Sequence, residues 1–209
     1  MDAVRNKSTA AAAPETLDLS PRLLFEAARR AEAMGLVEPG AVVRIDVSSV
    51  RHLANRVRRA GIAAGAAEAL NNVAAPTAAE VTALLEMMVA ALEASPVPKF
   101  EWAGLARVFD ADALASLLNI SASSLKRYAS GERATPDPIA ARLHFVALVV
   151  GDLAGSYNDI GIRRWFHRKR MRLDSRSPAA ILTGDWDPDE DGPSRVRALA
   201  RSLTTLSGT

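Results

Sequence analysis

The chain has 209 residues, 49% hydrophobic and 24% charged, with a formal net charge of +2 and no cysteine. This is enough chain for one large domain or two small ones with a real core, and the composition excludes fibrous and wholly disordered classes. The lack of cysteine removes disulfides, thiolate nucleophiles and the common zinc frameworks; no apolar run approaches the roughly 20 residues that span a bilayer, and MDAVRNKSTAAAAPETLD lacks a secretory apolar stretch, so a cytoplasmic protein without a membrane partner is expected.

Residues 1–16 are Ala, Ser, Thr and Lys without periodic apolar positions and read as a flexible tail. A helix is expected next. Ser20 is placed to cap it, Pro21 suits its first position, Leu24, Ala27, Ala31 and Met34 recur at helical spacing, and Gly35 ends it. VVRIDV alternates, with Val43, Ile45 and Val47 on one side, and reads as a short strand over Val42–Val47 that pairs with a partner chain or serves as an extended connector.

A second amphipathic helix follows, with Val50, Leu53, Val57 and Ala60 as its stripe and Gly61 as its stop. GIAAGAAE reads as helix and small-residue packing, since it has neither a P-loop lysine nor a dinucleotide fingerprint. Thr77 and Glu80 have capping-box spacing ahead of Val81, Leu84, Leu85, Met88 and Leu92. The proline-containing stretch Ser95–Pro98 then reads as a domain boundary, and no internal repeat is evident.

LASLLNISASSLKRYASGE, Leu114 to Glu132, has helix-turn-helix spacing. Leu114, Ala115 and Leu118 face inward, with Ala115 small where the second helix crosses closely. Asn119 tolerates the positive φ of the turn, Ile120 fills the gap between helices, Ser121 caps the second helix, Leu125 and Tyr128 face inward, and Gly131 ends it. The residues left outward are those available to DNA: Ser123 and Lys126 for the groove, Arg127 or Arg133 for phosphate. The alternative is a tri-helical module kept for packing or dimerisation. Phe100, Trp102, Leu105, Val108 and Phe109 supply a preceding helix, and Asp137 and Pro138 start a long one carrying Ile139, Leu143, Val146, Val150 and Leu153.

Charge is uneven along the chain: residues 1–98 are nearly balanced, and most of the excess Lys and Arg lies between Lys126 and Arg176. That is the footprint of a polyanion contact or of solvated helical faces. GIRRWFHRKRMRL, Gly161 to Leu173, concentrates it around Trp165 and Phe166. Ser177 before Pro178, and Pro193 after Gly192, mark further helix starts.

Trp165 within IRRWF, Leu173, Arg176 to Pro178, Leu182 and a closing helix with Val196 and Leu199 together resemble the toxin-binding domain of the Xre/MbcA/ParS-type antitoxins, which in that family follows an Xre-like helix-turn-helix. The resemblance covers about residues 99–205. The chain departs from the family at His167–Met171, where proline is usual, and at Ser175, where glycine is usual. Helical periodicity gives an all-α protein with at most one short strand and an N-terminal helical domain of unassigned role (17–98) that lies outside the resemblance; spacing and resemblance together add a helix-turn-helix domain (99–156) and a toxin-binding-like domain (157–209). The resemblance further implies an antitoxin that neutralises a cognate toxin of the NAD-consuming RES class and represses their shared operon. Trp165 and Phe166 are then core or partner-facing anchors. Around them Arg163, Arg164, Arg168, Lys169, Arg170 and Arg172, with Arg176 beyond, form a basic surface facing an acidic partner, the DNA backbone or solvent. Paired half-sites lead to the expectation of a homodimer. A stand-alone DNA-binding regulator and an interaction module of a larger assembly are the alternative readings.

Enzymatic chemistry has no support in the pattern. His52, His144 and His167 lack metal-ligand spacing, and His144 in an apolar helix reads as a structural histidine. No motif pairs a nucleophile with a base. Asp187, Asp189, Asp191 and Gly192 match the first half of a calcium loop, but Pro193 and Ala198 break the second, leaving a solvated loop or a partner for nearby arginines. No catalytic residue, cofactor or metal is expected.

Overall fold

The structure, a computed structural model, describes residues 19–206, with side chains to residue 203; the tail expected over residues 1–16 lies outside the described residues. The fold is all-α. Among the described residues the helices are α1 (Pro21–Ala33), α2 (Val47–Arg59), α3 (Ala64–Asn72), α4 (Ala78–Ala94), α5 (Pro98–Ala106), α6 (Ala111–Leu118), α7 (Ala122–Ala129), α8 (Asp137–Leu153), α9 (Asp159–His167), α10 (Pro178–Ile181) and α11 (Asp191–Leu206). A single 3-10 turn, Met171–Leu173, joins α9 to α10. No helix among them is long and apolar enough to cross a membrane on its own.

Helix ends follow the local chemistry in most places. Thr77 and Glu80 form the full capping box at α4, with the Glu80 carboxylate accepting from the Thr77 N–H at 2.7 Å. Gly35, at φ +72°, lets the Leu36 N–H reach back to the Ala31 carbonyl at 2.8 Å and closes α1. Ser20 does not cap α1 through its side chain; its ψ of 103° leaves only the backbone carbonyl engaged, by the Leu24 N–H at 3.4 Å.

The expected strand over Val42–Val47 is absent. Val43 and Ile45 are 81% and 43% exposed while Val42 is buried, so the alternation is that of extended backbone with no neighbour to form a ladder. That backbone leads into Asp46, whose carboxylate accepts from the Ser49 N–H at 2.8 Å and caps α2. Within the described residues the one β-type pairing is the isolated antiparallel bridge between Arg170 and Arg176.

The centre of the molecule is α8, buried around its whole circumference from Arg142 to Leu153 and packed by α1, α5, α6 and α11. Alanines let α1 lie close between α4 and α8: Ala27, Ala28, Ala31 and Ala33 are all buried. A Cβ on Gly151 of α8 would lie 3.1 Å from the Arg30 Cα. The expected boundary at Ser95–Pro98 is a bend of 89° between α4 and α5, and the hydrophobic core runs across it. Proline ends the helix there without dividing the core, because α1 has its widest contacts with α8 from the other side of the bend.

Three arginines and three acids tie the outer helices to this centre. Arg30 of α1 meets Glu26 at 2.6 Å, Glu93 of α4 at 2.8 Å and Asp152 of α8 at 3.4 Å. From α11, Arg197 reaches Glu93 at 3.1 Å and Asp152 at 3.5 Å, and Arg201 reaches Glu93 at 2.5 Å. Burial pushes the Asp152 carboxyl above its ordinary value, against the opposing pull of Arg197, Arg30 and Arg201. The cluster is charge-balanced, so burying it leaves no lone ion.

The chain also repeats an order of elements. Each of α1–α4 and α5–α8 consists of a helix, two helices joined by a tight turn, and a helix of 17 residues. The turns close alike. The Gly61 N–H binds Arg58 and the Ile62 N–H binds Val57, while the Asn119 N–H binds Ser116 and the Ile120 N–H binds Ala115. Gly61 (φ +84°) and Asn119 (φ +54°) both take the left-handed conformation, and an isoleucine follows each. The halves differ in the second helix of the turn, since α3 leans on α4 and α7 leans on α5.

Candidate nucleic-acid interface

The helix-turn-helix expected from the sequence is α6 and α7. Asp110 starts α6 by accepting from the Ala113 N–H at 2.8 Å, and Leu114, Ala115, Leu117 and Leu118 are buried beneath it. Asn119 turns the chain, half-buried Ile120 packs on the core, and Ser121 Oγ accepts from the Ser124 N–H at 3.1 Å to start α7. Leu125 is half-buried and Tyr128 buried.

Tyr128 fixes α7 to α5. Its ring stacks on Trp102 at 6.2 Å with 22° between planes, and the Trp102 indole N–H donates to Thr135 Oγ1 at 3.0 Å. Two further groups brace the turn from behind. The Trp186 indole N–H donates to the Leu117 carbonyl at 3.0 Å, and Arg142 donates to the Leu118 carbonyl at 3.4 Å and to the Trp186 carbonyl at 2.6 Å. These satisfy last-turn carbonyls of α6 that would otherwise be orphaned. Arg142 and Trp186 carry no outward sign of this role in the sequence. Asp185 completes the brace by pairing with Arg142, while Asp187 accepts from the Asp189 N–H at 2.9 Å and Asp191 lies 3.9 Å from Arg195.

Ser123, Lys126, Arg127 and Arg133 are all exposed. The Ser123 hydroxyl lies 3.0 Å from Ser121 Oγ, and the Arg133 guanidinium lies 5.7 Å over the Tyr128 ring. No hydrogen bond or ion pair among the described residues engages the Lys126 or Arg127 side-chain cation. The helix therefore presents a hydroxyl in its first turn and two unpaired cations in its last.

The basic stretch after α8 divides into two groups. Trp165 and Phe166, 1% and 0% exposed, are core residues: Phe166 meets Phe109 edge to face at 5.2 Å and Trp165 at 5.4 Å. Trp165 is thus inside the protein, in the core that also holds Leu173 and Leu182, with α10 packed on α9. Arg163 donates to the Val108 carbonyl at 2.8 Å, Arg170 lies 5.5 Å over the Trp165 ring, and Arg176 donates to the Ala180 carbonyl at 2.6 Å. These three serve the fold. Arg164, Arg168, Lys169 and Arg172 are exposed, and no acid among the described residues pairs with them.

His144 is structural, as its apolar helix implied. Its Nε2 lies 3.0 Å from the Glu93 carbonyl, which only accepts, so Nε2 carries a proton. Its Nδ1 lies 2.5 Å from Glu101 Oε1, and that contact shares one further proton. Glu101 is 0% exposed, and burial raises its carboxyl above the ordinary 4.5 despite the histidine. Beside this pair an open cleft of about 730 Å³ runs between α8, α11 and the end of α4, lined in part by Ala141, Phe145, Asp187, Ser194 and Arg197. No group of three or more His, Asp or Glu side chains able to hold a metal ion occurs among the described residues.

Compared with protein-family models, with curated proteins and with solved structures, the chain matches none of them.

Proposed function

We propose that the protein binds double-stranded DNA through α7 and regulates transcription. The observation that carries this reading is the α6–α7 pair. It is locked by the left-handed Asn119 and capped by Ser121, with exposed Lys126 and Arg127 on a helix whose inward side packs through Leu125 and Tyr128. In this geometry the first helix crosses the backbone and the second enters the major groove. Ser123 reads base edges, and Lys126, Arg127 and Arg133 meet the groove and the flanking phosphates. The test is enrichment from a pool of random-sequence duplexes. The wild type is expected to select a preferred sequence and Ser123→Ala to alter that preference, whereas equal recovery of all sequences would overturn sequence-specific reading.

A second reading adds an antitoxin role in which the chain neutralises a RES-like toxin and represses a shared operon, as a dimer on paired half-sites. It draws support from the residues that carry the family resemblance. Trp165, Leu173, Leu182 and Val196 are all buried in one continuous core, Pro178 is buried, and Ser177 caps α10. On this reading the toxin docks on the α9–α11 layer. Growth of cells expressing the adjacent reading frame, with and without this protein, tests it: rescue is expected, and a harmless neighbour or persistent toxicity would remove the antitoxin role.

A further inference from the structure

Within Gly161–Arg176 the fold leaves four cations unused. Arg164 and Arg168 are one helical turn apart at the end of α9, and Lys169 and Arg172 follow in the connection to α10. The other three arginines of the stretch are consumed by the Val108 carbonyl, the Trp165 ring and the Ala180 carbonyl. The one acid within it, Asp174, is held by Arg195 at 2.8 Å.

Two partners fit a surface of this sign, an acidic protein and a nucleic acid, and the residues discriminate between them. Protein interfaces draw their affinity from desolvated aromatic and arginine anchors and are depleted in lysine. Here both aromatics are buried and Lys169 is part of the patch, and the large exposed apolar side chains at it, Met171 at 91% and Ile160 at 52% one turn before Arg164, include no aromatic. Charge without an aromatic anchor suits a polyphosphate backbone, which needs neutralisation and no pocket.

The mounting of the patch points the same way. Arg163 and Phe166 fasten α9 to Val108 and Phe109, the residues just ahead of Asp110, the cap of α6. In helix-turn-helix docking, α6 is the helix that crosses the DNA backbone. We infer that Arg164, Arg168, Lys169 and Arg172 form a second phosphate-contacting surface, extending the footprint of α6 and α7 along the duplex. This inference rests on the DNA-binding reading above.

The test is the salt dependence of binding to a mixed-sequence duplex of about 30 base pairs, since each phosphate contact contributes about 0.9 to the slope of log K against log salt. Replacing Arg164, Arg168, Lys169 and Arg172 with alanine is expected to lower that slope by about 3.6, and Lys126→Ala with Arg127→Ala by about 1.8. Arg58→Ala with Arg59→Ala on α2, which removes exposed charge from helices that do not pack on α6 or α9, is expected to leave it unchanged. All these side chains are exposed, and a thermal melt matching the wild type establishes that each variant is folded. A normal slope in the fourfold variant alongside a reduced slope in the α7 variant would overturn the second surface and leave DNA binding by α7 intact. An equal fall in the α2 variant would also overturn it, by showing a bulk charge effect. Absence of binding by the wild type would overturn both readings.

Discussion

Replacing Gly104 with alanine probes the tightest approach of backbone to a glycine among the described residues, where α5 crosses the end of α1. A methyl there would lie 2.3 Å from the Ala33 carbonyl oxygen and 2.7 Å from the Gly35 nitrogen. Ordinary contact is about 3.5 Å, so the two segments must part by about 1 Å. Both obstacles are backbone, and no side-chain rotation relieves them. Gly35 has no room either, since a Cβ on it would meet the Phe100 carbonyl at 2.4 Å. Overpacking of this kind costs up to about 3 kcal/mol, while alanine in a helix interior gains about 1 kcal/mol over glycine. The clash wins, leaving a net loss of about 2 kcal/mol and a fall in Tm of about 4–8 °C. Gly65→Ala in α3 is the control, for no atom lies within 4 Å of its Cβ, and it should be neutral or stabilising by up to about 1 kcal/mol. Urea and thermal denaturation of both variants measure the difference. Gly104→Ala as stable as wild type would refute the close seating of the first helix on the helix-turn-helix half, and with it the core running across the α4–α5 bend.

Three further outcomes follow from the same contacts. Trp165→Ala should cost about 3–5 kcal/mol by denaturant titration, as for a fully buried aromatic, whereas Trp165→Phe, which gives up an N–H that meets no protein acceptor, should cost less than half of that. Ser175→Gly should stabilise by about 0.5–1 kcal/mol in a thermal melt, because Asp174 and Ser175 are consecutive non-glycine residues at φ +53° and +59°. Burial raises the Glu101 carboxyl, so the folded state holds its proton more tightly than the unfolded one. Its contribution to stability is therefore full below 4.5 and is lost as pH rises through its folded value. The stability deficit of Glu101→Gln relative to wild type should accordingly shrink from pH 4 to pH 7, and a deficit that widens would contradict burial as the dominant influence.

The helix-turn-helix was legible because each of its positions answers a local steric demand. Ala115, Asn119, Ile120 and Ser121 stand where a close crossing, a left-handed turn, a plug and a cap are needed, and the structure uses each of them so. What stayed hidden depends on partners far along the chain. Arg30 is buried because Glu93 and Asp152 come to it, and nothing in the pattern of α1 announces them. The cations of Gly161–Arg176 could not be sorted from spacing, since the acceptors that occupy Arg163 and Arg176 are the backbone carbonyls of Val108 and Ala180. VVRIDV misleads for a different reason: extended backbone entering a helix cap alternates its side chains as a strand does, and the alternation says nothing about a neighbour to pair with. The echo between α1–α4 and α5–α8 rests on the order of elements and on the matching turns, where the Ile62 and Ile120 N–H groups reach back to Val57 and Ala115. With the turns matched, buried Leu53 and Ala54 fall opposite Ala111 and Asp112 and not opposite Leu114 and Ala115, which obscures it in the sequence.

Direct affinity of the purified chain for duplex DNA, with and without Lys126→Ala and Arg127→Ala, tests the central claim most directly. The account predicts measurable binding that falls across all sequences in the double variant while its melting temperature is unchanged. Equal affinity of variant and wild type would contradict it, because α7 would then have no part in the contact.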